Sequence, residues 1–143
     1  MDSEKLISGY FAFACKPMPG LGALSVPKKY HSNSSGPIAT AIAAIDGCKT
    51  IYMLGFDMGP AENQKFNNVY AGTDFYKDKT HPPIFAGNWT KQLIKIARDF
   101  PRIQIVRLHG TNTAEINDFS AVPNIINEDL LTFLQSINTG RNP

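Results

Sequence analysis

The stretch from Ser34 to Asp57 constrains the fold more than any other part of the chain. Ile38, Ala41, Ile42 and Ile45 recur at the i, i+3, i+4, i+7 spacing that buries one side of an α-helix. Ser35 stands where the helix needs a cap, Gly36 and Pro37 suit its first turn, and Gly47 ends it. A β-rich run, Thr50-Ile51-Tyr52-Met53-Leu54, follows within a few residues and closes on Gly55-Phe56-Asp57. A strand that starts so soon after a helix is typical of α/β units, in which crossover helices link parallel strands. The reading predicts a helix start and a strand end that face one ligand site at the carboxyl end of the sheet.

The rest of the chain fits the same plan. Residues 6–15 (LISGYFAFAC) read as a strand, and the Pro, Gly and polar residues of 16–35 forbid a long regular element there. Residues 59–83 form a second long polar loop. Asn88 then caps a helix whose stripe is Trp89, Leu93, Ile96, Ala97 and Phe100, with Pro101 as its stop. Residues 102–108 (RIQIVRL) alternate as a strand, a helical turn is expected over 113–119, and Asn127 caps a last helix carrying Leu130, Leu131, Leu134 and Ile137. The fold expected is a Rossmann-like three-layer α/β sandwich with a small, mostly parallel sheet. It forms one domain over 1–143: strand and loop to residue 33, core over 34–138, frayed tail over 139–143.

Composition excludes several classes. Charged residues are 18% of the chain, the net charge is +2 and the cations are scattered, so nucleic acid is not an expected partner. Cys15 and Cys48 lack CxxC spacing, which argues against a metal knuckle or a disulfide framework, and both are read as reduced core residues. No apolar run reaches the ~20 residues that span a bilayer, and the first residues lack a signal-peptide layout. A cytoplasmic protein is expected.

Three groups could carry chemistry. The loop from Ser32 through Ser34, Ser35 and Gly36 enters a helix N-terminus, whose N–H groups and dipole favour an anion; an ordinary serine cap is the plain alternative. Asp57, directly after an apolar strand, could orient a sugar hydroxyl, hold a metal or act as a base, or could merely fix its turn. Asn67, Asn68, Tyr70, Thr73, Tyr76 and His81 crowd one loop with Lys77 and Lys79, offering hydrogen-bond donors for phosphate or sugar oxygens and an imidazole base. Packing of the tyrosines in a surface lid is the competing reading. His31 and His109 stand outside such a cluster, and Trp89 is in phase with a core stripe.

The segment GPIATAIAAIDGCKTIYMLGFDM, preceded by Ser34 and Ser35, resembles the second half of the bacterial sialyltransferases of glycosyltransferase family 42. It is also similar to the related motility-accessory-factor glycosyltransferases, with a Ser-Gly turn, an Ala-rich helix and a strand ending in Gly-Phe/Ile-Asp in the same order. The resemblance extends over residues 34–119. It implies that Tyr70 and Tyr76 meet the phosphate of a CMP-sugar type donor, that Ser34, Ser35, Gly36, Asn68 and Thr73 help bind it, and that His81, with Asp57, serves catalysis. Those relatives carry a Gly-Asn-Gly-Pro-Ser type loop in a sizeable N-terminal half. With 33 residues ahead of Ser34, and Pro19-Gly20-Leu21-Gly22 a poor substitute for that loop, the resemblance implies a domain truncated in that half. Two functions follow: a nucleotide-sugar-binding glycosyltransferase, or a non-catalytic nucleotide- or glycan-binding and assembly module. In the second, a homodimer would cover an open sheet edge. A hydrolase built on Asp57 and His81 lacks a G-x-S-x-G nucleophile motif.

Overall fold

The computed structural model describes residues 13–14, 24–58, 70, 72–74, 76–78, 80–81, 86–110, 113 and 115–140. Two short strands, β1 (Phe13–Ala14) and β2 (Leu24–Ser25), pair in parallel, and a 3-10 turn at Lys28–Tyr30 follows. Helix α1 (Ser35–Ile45) leads into β3 (Thr50–Leu54), helix α2 (Ala86–Asp99) into β4 (Gln104–His109). A 3-10 turn at Asn117–Ala121 precedes β5 (Ile125–Asp129), which passes directly into helix α3 (Leu130–Asn138). The main sheet is parallel throughout, ordered β3-β4-β5, with Tyr52, Val106 and Ile126 aligned across it. The chain is therefore a small α/β domain with a three-stranded parallel sheet flanked by helices.

Strand alternation sorts the core. Met53, Ile105 and Ile125 point to the face where α1 and α2 pack, against Ala41, Leu93, Ile96 and Ala97. Phe119 and Val122, from the connection between β4 and β5, complete this core. Tyr52 points to the opposite face, where its ring meets Phe133 of α3 at a centroid distance of 4.9 Å. Asn124 holds the layers in register, since its Nδ2 amide donates to the carbonyls of Ala97, Phe100 and Ile103 and so closes the carboxyl end of α2. Gly47, at φ +91, supplies the left-handed turn that ends α1.

Several expectations change. The strand expected over 6–15 is described only at Phe13–Ala14, and Cys15 lies outside the described residues. Ile45, expected on the buried stripe, is half exposed; Thr40 and Ala44 are buried instead, because the face against the sheet and α2 is rotated from the apolar stripe. Cys48 is exposed in the turn between α1 and β3, where the chain has left the core. Ser34, not Ser35, occupies the cap position of α1, while α2 starts two residues before Asn88. The helical turn expected over 113–119 lies further along. Asn127 is no cap: it lies inside β5, a strand that sequence reading missed because Asn127, Glu128 and Asp129 make its pattern polar. Asp129 caps α3 by accepting from the Thr132 N–H.

Candidate functional site

Parallel topology decides where ligands can sit. The three strands end on the same edge of the sheet, and each helix packed against it runs back, so α1, α2 and α3 begin at that carboxyl edge. Their dipoles turn positive ends toward it. The start of α1 and the end of β3 meet closely: a Cβ added to Gly36 would stand 2.7 Å from Cε1 of Phe56. The expected convergence of helix start and strand end is present. The missing side chain of Gly36, however, admits the Phe56 ring.

The helix start is clamped from outside. The Trp89 Nε1–H donates to Ser34 Oγ at 2.8 Å, and the Ser34 N–H donates to Gln92 Oε1 at 2.9 Å. Ser34 thereby joins α1 to α2 and makes no side-chain cap bond to its own helix. Ser35 is exposed on the first turn. Beside them, Asn33 Nδ2 is buried and has no hydrogen-bond partner, which makes it an orphaned donor directly ahead of the α1 N-terminus. A buried amide left so forfeits about 1–3 kcal/mol, which an acceptor oxygen would return once the loop ahead of α1 shifted to admit it.

The strand end is held by a residue that sequence reading passed over. Arg107, at 1% exposure, lies within β4 and donates from Nη2 to the Asp57 carbonyl at 2.7 Å, from Nε to the Phe56 carbonyl at 2.8 Å and from Nη1 to Asn127 Oδ1 at 3.2 Å. Burial lowers its pKa, and the Asp57 charge acts in the opposite sense. The guanidinium fork fits two carbonyls that leave the sheet together, a geometry lysine does not match. Met58 follows at φ +64 and is buried, while Gly55 has φ +77, so two left-handed residues frame the Phe56-Asp57 turn. An L-residue with a long side chain at such a φ is strained backbone, retained where the surroundings over-determine it. The signal available in RIQIVRL was a lone interior cation among apolar residues.

The second group is the tyrosine loop. Tyr76 N–H donates to Thr73 O, and both the Thr73 N–H and hydroxyl donate to Tyr70 O. This turn sets the exposed Tyr70 and Tyr76 rings 6.4 Å apart and spends the Thr73 hydroxyl on the backbone. The His81 N–H donates to Asp78 O. Asn67, Asn68 and Lys79 lie outside the described residues.

His31 and His109, outside that loop, also have defined surroundings. His31 Nε2 is 2.7 Å from the Val26 carbonyl, while His109 sits at the carboxyl end of β4, in register with Asp129. The Asp129 carboxyl is held below its ordinary pKa, first by the Thr132 N–H, then by the Thr132 hydroxyl, with His109 contributing less. Among the described residues, no group of three or more His, Cys, Asp or Glu could hold a metal, and no helix is long and apolar enough to cross a membrane. No protein-family model matches the chain, and no curated protein or solved structure matches it either.

Proposed function

We propose that the chain is a glycosyltransferase-like domain that binds a nucleotide-sugar, or its phosphate, at the carboxyl edge of the sheet. The observation carrying this reading is the orphaned Asn33 amide, buried at the start of α1, where helix dipole and backbone N–H groups already favour an oxygen-rich anion. Ser35 and Gly36 would lie along the phosphate. Tyr70 and Tyr76, already paired in one turn, would give it phenolic donors. In a transfer reaction His81 would take the proton of the acceptor hydroxyl as the sugar leaves its phosphate, with Asp57 orienting a sugar hydroxyl. A CMP-sugar is the donor of choice, and a cytoplasmic setting suits such a donor.

The non-catalytic alternative also has a specific observation in its favour. The Thr73 hydroxyl donates to backbone and Phe56 fills the space at Gly36, so fewer groups are left to a sugar donor than the resemblance implies.

Calorimetry with CMP, CMP-sugars and UDP-sugars tests the reading. A cytidine ligand should bind, and Asn33→Leu should weaken it about tenfold, the loss of roughly one hydrogen bond. Absence of heat with every nucleotide, or equal affinity in the variant, would sink the proposal. Binding without turnover, unchanged by His81→Ala, would select the non-catalytic form.

A further inference from the structure

The two faces of the main sheet differ in what covers them. On the side carrying α3, Tyr52 and Leu54 of β3 are 42% and 64% exposed, and Ile126 of β5 is 36% exposed. Helix α3 adds Leu131, Leu134 and Ile137, exposed at 61%, 45% and 51%. Tyr52, Leu54 and the three α3 side chains leave on the order of 500 Å² of apolar surface open, comparable to the largest patch a monomer usually shows and more than half of the roughly 800 Å² per partner that a stable interface buries, while Ile126 lies at the opposite edge of the sheet.

Charge narrows the occupant. Neither Leu130–Asn138 nor Thr50–Leu54 contains an Asp, Glu, Lys or Arg. A charged partner would find no counter-charge on these elements. A two-fold contact through α3 and β3 would set no charge of these elements against its like, since Glu128 and Asp129 belong to β5 at the opposite edge of the sheet. The outer side of α2, by contrast, carries Lys91, Lys95 and Arg98, which a two-fold contact would set against their own like. We infer that a second copy of this chain covers the α3 side of the sheet, in an isologous dimer that packs α3 and the exposed side chains of β3 against their equivalents.

Light scattering after size exclusion, over a dilution series of the whole chain, reads this directly. The expected result is twice the 15.7 kDa chain mass, falling toward one chain on dilution. The double variant Leu131→Glu with Leu134→Glu changes side chains that are open in the single chain, so its circular dichroism should be unchanged. Its dissociation constant should rise at least about a hundredfold, since two charges per chain would face their own copies. Lys91→Glu, on the other side, should leave the dimer intact. A wild type that is monomeric throughout overturns the inference, as does a monomer that binds neutral lipid vesicles through this face. A dimer undiminished in the glutamate variant, or one that Lys91→Glu abolishes, overturns it too.

Discussion

The two faces of one sheet follow opposite rules. Under α1 and α2, Met53, Ile105 and Ile125 are nearly closed off and meet side chains at 0–1% exposure. On the other face α3 shelters the central strand, where Val106 and Leu108 are buried, and leaves Tyr52, Leu54 and Ile126 on the outer strands open. The difference teaches that one helix of this length covers a single central strand, whereas two helices and the Phe119 turn cover all three. Stability should therefore reside in the first face and association in the second.

The comparison can be broken most easily at the closed face. Ile96→Ala removes a fully buried side chain and should cost about 3 kcal/mol, read as a lower urea midpoint with an unchanged slope. A loss comparable to that of an exposed α3 leucine would erase the distinction between the faces. Arg107→Met keeps much of the volume but strands the Phe56 and Asp57 carbonyls, so about 2 kcal/mol should be lost together with hydrogen-exchange protection around the β3 end. If protection there survives, Arg107 is not what holds that turn.

The smallest effect belongs to the periphery of the closed face. Asp99 accepts from Lys29 Nζ at 3.0 Å and from the hydroxyl of the buried Tyr30 at 2.8 Å, tying the 3-10 turn at Lys28–Tyr30 onto α2. The Lys29 and Tyr30 bonds hold its carboxyl below the ordinary value of 3.8. A folded-state pKa below the unfolded one stabilises the fold above the ordinary carboxylate range, and that contribution disappears as the pH falls through the folded value. Urea midpoints at about pH 6 and about pH 3 should thus differ less in Asp99→Asn than in the wild type. An equal difference would mean that the acid sensitivity arises elsewhere.

How far the sequence could be read follows from which interactions set each element. The extent of the α1 and β3 unit was legible because helical spacing and a glycine stop are local properties, although the face that α1 buries was not, and the stripe of α2 was legible for the same reason. Strand β5 was not, since Asn127, Glu128 and Asp129 carry no strand pattern and acquire their conformation from the ladder with β4. Of the candidate site, the meeting of the α1 start with the β3 end and the nearness of Tyr70 to Tyr76 could be anticipated. The roles of Arg107, Asn124 and Asn33 could not, because each depends on atoms distant in the chain.

Sequence alone determined that this chain forms a helix and a strand aimed at a common end, because periodicity and turn chemistry act over a few residues. Only the tertiary structure decided what meets there. Ser34 is taken by Trp89 and Gln92, Gly36 makes room for Phe56, and a buried arginine grips the strand end, while Asn33 keeps an unmet donor. Hydrogen bonds and packing between distant segments are settled by how the layers close, and their partners are not written in the spacing of the residues that make them.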